Sequence, residues 1–220
     1  AKNEPQAYNP QNLGSNVNSA QMEYFPSISA DGLTLVFTHR NMEGKKLDED
    51  FWVAYRDSIN GDWRKAEALN GMLNTSGNEG AQAITADGNV IFFAACERPD
   101  GFGSCDIFAS FLQPNGFWGK AINLGPQINS GLWESQPSIS PDGLTLYFVR
   151  GRDSRDPDLN LYSSKFTAQG WTKAKPLSEV INTPGQETSP FIHFDGQSLY
   201  FSSNGHPGMG DLDFFVSRKG

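Results

Sequence analysis

The feature that most constrains this chain of 220 residues is an internal repeat of about 55 residues. An Asp-Gly pair stands before each of four apolar runs, and the four aspartates are spaced by 56, 55 and 53 residues. These aspartates are Asp31, Asp87, Asp142 and Asp195. A fixed period of this size is typical of proteins in which copies of one structural unit pack against each other.

Other positions recur in phase with the Asp-Gly pair. Each repeat opens with a glutamate, and a later Asp or Asn precedes a short run rich in β-forming residues. The glutamates are Glu23, Glu79, Glu134 and Glu187, and the later residues are Asp50, Asp106, Asn160 and Asp213. Three repeats continue with a Trp, a Leu six residues later and then an Asn, at Trp63, Leu69 and Asn74, at Trp118, Leu124 and Asn129, and at Trp171, Leu177 and Asn182.

These patterns predict four short strands in each repeat. Asp-Gly is a strong signal for a β-hairpin turn. The strand that follows it carries consecutive apolar residues, such as Ile91, Phe92 and Phe93, so both of its faces are expected to be buried. Four-stranded sheets that pack face to face around an axis form a β-propeller. We therefore predict an all-β chain, a β-propeller of four-stranded antiparallel blades.

The whole chain, 1–220, is expected to form a single propeller domain or a fragment of one. The repeats are predicted at about 19–74, 75–129, 130–182 and 183–220, with 5–18 as a detached outer strand. The detached strand resembles the end of a repeat, whereas the last repeat stops after its third strand. Two interpretations stay open: these ends pair and close a four-bladed ring, or the chain is a piece of a longer propeller.

Charge and hydropathy exclude some classes of partner. The chain has 17 Lys and Arg against 25 Asp and Glu, which gives a net charge of −8. A binder of duplex nucleic acid needs a basic surface, so nucleic acid is not an expected partner. Because no stretch approaches 18 consecutive apolar residues, direct membrane insertion is not expected either.

The amino-acid sequence of the repeats resembles that of a known group of proteins. The units are similar to TolB-type, WD40-like propeller repeats. Five segments are similar to the propeller region of Bacteroidetes OmpA-family envelope proteins, in particular the PorE-like proteins of the type IX secretion system. These segments are 78–82, 96–106, 133–138, 189–193 and 203–210.

This resemblance implies a periplasmic location, associated with the outer membrane. It also implies protein partners there and a role in protein transport. In such proteins a separate OmpA-like domain binds peptidoglycan, and this chain does not contain that domain.

Two cysteines are expected to meet across one hairpin. Cys96 follows the second strand of its repeat, and Cys105 precedes the third. We favour a Cys96–Cys105 disulfide, which an oxidising compartment would permit. Two free buried thiols or a metal pair are the alternatives, although two thiolates alone do not complete a zinc site.

The four repeat glutamates are candidates for a ring at one mouth of the propeller channel. Four carboxylates with nearby carbonyl groups are ligands that calcium accepts. No other cofactor is indicated. The alternative, which we favour, is that each glutamate accepts hydrogen bonds from backbone amides, because positions that recur in every repeat usually serve packing.

Loops supply the candidate binding residues. Aromatic and arginine side chains are frequent anchors at protein interfaces. On this ground the candidates are Trp133, Arg150, Arg152, Arg155, His206 and Met209. For Trp133, packing beneath its own blade is an equally weighted alternative.

The sequence shows none of the familiar catalytic motifs, such as Gly-x-Ser-x-Gly or His-Glu-x-x-His. We therefore expect a non-enzymatic protein-interaction scaffold with no catalytic residues. A propeller that binds glycans or muropeptides is the first alternative, and a glycoside hydrolase-like propeller with acidic residues at the channel mouth is the second.

Overall fold

The computed structural model describes residues 9–42, 48–69 and 71–219, and this part of the chain is all β. It contains 16 strands. They are β1 (Met22–Ile28), β2 (Thr34–Asn41), β3 (Asp48–Tyr55), β4 (Glu67–Ala68), β5 (Glu79–Ile84), β6 (Val90–Cys96), β7 (Cys105–Phe111), β8 (Ile122–Asn123), β9 (Trp133–Ile139), β10 (Thr145–Gly151), β11 (Asn160–Thr167), β12 (Gly170–Trp171), β13 (Lys175–Pro176), β14 (Glu187–Ile192), β15 (Ser198–Ser203) and β16 (Asp213–Arg218). The predicted all-β class is confirmed. Within the described residues, no helix is long and apolar enough to cross a membrane.

The strands follow the repeats. Strands β1 to β4 form a sheet in sequence order, and β14 to β16 form another. The second repeat contributes β5 to β8 and the third β9 to β13, and these two antiparallel sets are joined by one parallel residue pair, Cys105 with Trp133. The outermost strands of the first three repeats are β4, β8, and β12 with β13, and each of them is only two residues long.

The predicted detached strand at 5–18 is not a strand over residues 9–18, and its residues 5–8 lie outside the described part of the chain. A turn occupies residues 15–17 instead.

The Asp-Gly turns are built as the sequence indicates. Their glycines, Gly32, Gly88, Gly143 and Gly196, have φ between 67° and 72°, a region that glycine enters at little cost. In the first turn, Asp31 Oδ1 accepts hydrogen bonds from the Ser29 hydroxyl at 2.6 Å and from the Leu33 N–H at 2.9 Å. The turn aspartate therefore fixes the turn itself.

Each sheet packs on the next through apolar faces. The inner strands contact each other in the order β1, β5, β9, β14. Here the forward face of a sheet is the one that packs on the following repeat, and the back face is the one that packs on the preceding repeat. For example, Phe92 and Ile107 on the forward face of the second sheet share a buried cluster with Leu146 and Phe148 on the back face of the third.

The asparagine at the end of each repeat ties the outer part of the repeat to its third strand. Asn129 is buried; its Oδ1 accepts from the Ile107 N–H at 2.8 Å and its Nδ2 donates to the Ile107 carbonyl at 2.9 Å. Asn74 and Asn182 make the same pair of bonds to Phe51 and Leu161. Asn18 occupies the corresponding position before the first repeat, but its buried Oδ1 has no hydrogen-bond partner among the described residues.

We predict that Asn129→Leu destabilises the protein, because it removes the acceptor of the buried Ile107 N–H and one of the two donors to the Ile107 carbonyl, which keeps the Leu124 N–H at 3.2 Å. Each unsatisfied group costs about 1–3 kcal/mol. Denaturant unfolding should show a loss of about 2 kcal/mol or more. The matched control is Asn18→Leu, which breaks no such pair and should change stability much less. Equal effects of the two variants would contradict this role for the asparagine.

Candidate interaction site

A central cavity of about 550 Å³ lies among the four inner strands. Each inner strand carries a bulge at which a non-glycine residue has a positive φ. These residues are Phe25, Ala81, Gln136 and Ser189, with φ of 50°, 52°, 53° and 52°, and all four line the cavity. Such backbone strain persists only where the surrounding structure imposes it, and here it recurs at the same position of every repeat.

Hydrogen bonds across the repeats hold these inner strands in place. The Ile84 N–H donates to Ser27 Oγ at 3.1 Å, and the Ile192 N–H donates to Ser138 Oγ at 3.0 Å. Phe191 stands at the corresponding position of the fourth repeat and is 49% exposed. The second repeat has Ala83 at this position, so the fourth repeat differs from the other three by placing a large apolar side chain there.

The forward face of the fourth sheet is open. We define this open face by Phe191, Tyr200, Phe214 and Val216, which are all exposed. Phe214 is 86% exposed, whereas Ile107 and Leu161, at the same repeat position, are 0% exposed.

The open face is continuous with the central cavity, since Phe191 and Phe214 also line the cavity. A contiguous exposed apolar surface makes the open face a candidate interaction site.

The repeat glutamates are bound within their own repeats. Glu79, Glu134 and Glu187 are fully buried, and each carboxylate binds the backbone N–H and the hydroxyl of a Thr or Ser four residues earlier. Glu23 is half-buried and binds Ser19 in the same way. No group of three or more His, Cys, Asp or Glu side chains that could hold a metal ion occurs in the described part of the chain.

Each repeat therefore satisfies its own glutamate. Glu134 also pairs with Arg150, whose Nε lies 2.7 Å from Glu134 Oε1. Burial raises the pKa of Glu79, while hydrogen bonds from Thr75 and the charge of Arg98 act in the opposite direction. These contacts favour the hydrogen-bonded interpretation of the four glutamates, and a calcium site at these residues stays a prediction.

We predict that calcium does not stabilise this protein. A calcium site would add about 2.7 kcal/mol to the free energy of unfolding when the free calcium concentration is 100 times the Kd. The melting temperature should be the same in calcium and in a chelator, as measured by scanning calorimetry. A rise of several degrees in calcium, lost in a Glu134→Gln variant, would contradict the hydrogen-bonded role of the glutamates.

Three of the six loop candidates make packing contacts within the stack of sheets. Trp133 begins β9, is 9% exposed and belongs to the cluster between the third and fourth sheets. Arg150 lies in β10, binds Glu134 and covers the Tyr162 ring at 4.5 Å. His206 is half-buried, with Nε2 2.9 Å from the Ile181 carbonyl and its ring against Phe215. Their loop positions in the sequence do not give free surfaces, because the sheets pack around them.

The other three candidates are exposed. Arg152 forms a two-point ion pair with Asp156, at 3.0 and 2.9 Å, and this pair holds the pKa of Asp156 well below its usual range. Arg155 lies in the same loop, after β10, and Met209 lies in the loop after β15 and is 74% exposed. None of the three belongs to the open face, and their role in binding stays a prediction.

The two cysteines lie opposite each other in the β6–β7 hairpin. Their sulfur atoms are 1.97 Å apart in a disulfide. Cys105 also pairs with Trp133 of the next repeat. The disulfide therefore lies beside the junction between the second and third sheets.

Sequence reasoning missed the open face. The signal was present, because Phe214 occupies the repeat position held by Phe51, Ile107 and Leu161, and all four are large and apolar. What the pattern does not show is that the position is covered in three repeats and uncovered in the fourth.

Comparison with solved structures shows the fold. A putative TolB from Agrobacterium tumefaciens matches with a TM-score of 0.58 and 20% identity over 91% of this chain and 59% of that one. TolB from Acinetobacter baumannii matches with a TM-score of 0.59 and 15% identity over 92% of this chain and 42% of that one. The chain thus spans about half the length of the TolB structures it matches. No protein-family model and no curated protein matches it.

These likenesses show that the chain has a TolB-like propeller fold. The resemblance of its repeats to TolB-type propellers is confirmed at the level of the fold.

The prediction that the chain is not an enzyme was wrong. It rested on missing catalytic motifs, but the fold is one that hydrolases also carry. A puromycin-hydrolyzing peptidase of Mycobacterium tuberculosis matches with a TM-score of 0.50 and 12% identity, over 91% of this chain and 36% of that one. Catalytic activity depends on the side chains that a propeller carries and not on the propeller fold itself. This fold therefore does not exclude an enzyme.

Proposed function

We propose that this chain is a periplasmic protein-interaction scaffold that binds its partner through the open face. The observation that carries the proposal is the contrast at one repeat position: Ile107 and Leu161 are covered, and Phe214 is 86% exposed. Burying a side chain as large as Phe stabilises a complex by about 1.5–3 kcal/mol. Covering the open face therefore supplies a substantial part of a binding free energy.

The packing inside the molecule suggests what such a partner presents. Every forward face in the first three repeats is covered by a back face rich in Ile, Leu and Phe, as with Ile192, Leu199 and Phe201 of the fourth sheet. We propose that the partner of the open face is likewise a β-sheet surface with branched aliphatic and phenylalanine side chains.

Two observations support the proposed location. The resemblance of the repeat sequences to TolB-type and PorE-like propellers implies an envelope protein associated with the outer membrane. A disulfide also suits an oxidising compartment such as the periplasm. We extend the resemblance to a role in the type IX secretion or gliding apparatus, with peptidoglycan contact left to a separate OmpA-like domain.

The proposal is tested with immobilised protein and a detergent-solubilised envelope extract of a Bacteroidetes bacterium. The wild-type chain should retain a defined outer-membrane or periplasmic protein. A Phe214→Ser, Val216→Ser variant should retain at least tenfold less of it, since about 1.4 kcal/mol corresponds to a factor of ten. Retention is measured by quantitative mass spectrometry.

The matched control is Phe117→Ser, which removes a phenylalanine that is 51% exposed elsewhere on the surface. This control should retain the partner as the wild type does. Equal retention by the open-face variant, or binding to a glycan array in place of protein capture, would overturn the proposal.

A further inference from the structure

A second cavity, of about 440 Å³, opens between the second and third sheets, at the end that carries their Asp-Gly turns. We call it the aromatic cavity and define it by Phe92, Phe111, Phe166, Trp171, Asp87 and Asp142. It shares no residue with the open face and does not depend on the function proposed for that face.

Aromatic rings form its wall. The Trp171 ring packs edge-on against Phe92, with centroids 6.0 Å apart, and against Phe166, with centroids 5.1 Å apart. Phe111 and Phe166 are 48% and 47% exposed. Exposed ring faces beside a cavity are surfaces on which a flat or cationic group can stack.

Two turn aspartates supply the charge. Hydrogen bonds from the Thr85 hydroxyl and the Asn89 N–H lower the pKa of Asp87. The pKa of Asp142 is lowered in the same way by the Ser140 hydroxyl and the Leu144 N–H. Both carboxylates are therefore ionised at neutral pH. Both Asp142 bonds go to Oδ1, so Oδ2 is the oxygen that a ligand can use. Asp87 Oδ2 accepts one hydrogen bond, from Asn89 Nδ2 at 3.0 Å, and a carboxylate oxygen can accept a second.

The charged side chains that line the cavity are hydrogen-bond acceptors. The side chains that line the aromatic cavity include carboxylates but no Lys, Arg, His, Asn or Gln. A guanidinium group only donates hydrogen bonds, and the Thr85 hydroxyl of the lining already donates to Asp87. Arginine also stacks on aromatic rings and forms two-point contacts with carboxylates, which a lysine ammonium does not.

We propose that the aromatic cavity binds an arginine side chain of a peptide partner. The guanidinium group stacks on the Trp171 and Phe166 wall and donates hydrogen bonds to Asp87 and Asp142. Apolar residues beside the arginine fill the rest of the cavity. The net charge of −8 favours the approach of such a cationic segment.

The test uses a defined peptide, acetyl-Leu-Arg-Leu-amide, titrated into the whole chain and followed by NMR and calorimetry. The indole N–H signal of Trp171 should shift in a saturable way, and binding should weaken with added salt. A peptide with citrulline in place of arginine has the same shape without the charge. It should bind at least tenfold more weakly.

A variant carrying Asp87→Asn and Asp142→Asn should lose the preference for arginine over citrulline. The matched control carries Asp31→Asn and Asp195→Asn, which change the same turns of the first and fourth repeats and should leave the preference intact. Circular dichroism verifies that both variants are folded at the titration temperature.

Three results would overturn the proposal. Equal affinity for the arginine and citrulline peptides would make the cavity a merely apolar groove. The absence of saturable binding at millimolar peptide would show that no such site exists. A Trp171 shift caused by a neutral oligosaccharide and not by the peptide would assign the cavity to a glycan.

Discussion

The structure depends on sheets that are apolar on both faces. Such a sheet gains stability from each side that is covered, and contacts between a forward face and the following back face stack the repeats in order. Phe93 on the back face of the second sheet packs in the cluster of the first sheet's forward face, while Phe92, the next residue toward the N-terminus, packs on the third sheet. The alternation of side chains along one strand therefore builds two interfaces at once.

The same constraint explains where the two proposed binding surfaces lie. The forward face of the fourth sheet has the composition of a covered face, yet Phe214 and its neighbours are exposed. The aromatic cavity lies between the second and third sheets, near their Asp-Gly turns, where aromatic rings stand beside two ionised carboxylates. One surface is apolar and extended, and the other is concave and acidic, so the two suit partners of different chemistry.

Much of the fold was predictable from the sequence. The Asp-Gly period gives the number and spacing of the repeats, and the turn glycines have the positive φ that such turns require. The asparagine positions were visible as a repeat, but their bonds to the third strand were not, because pairing partners about 22 residues apart are not encoded in local patterns.

The candidate site was predicted less well. Trp133 and Arg150 have residue types that favour interfaces, but β9 and β10 place them inside the stack. The positive φ of Phe25 and Gln136 has no sequence signal, since neither residue type favours that region. Exposure of the open face depends on which repeat has a neighbour, and a repeat pattern alone does not contain that information.

The most direct test of this account is native-state hydrogen exchange measured residue by residue. If stability comes from sheets covered on both sides, amides of β6 and β7 should exchange most slowly, at rates set by global unfolding. Amides of β15 that pair with β16, and those of β16 that pair with β15, should exchange through local opening at much lower free energy. Equal protection of β6 and β16 would contradict the claim that neighbouring sheets supply the stability of each repeat.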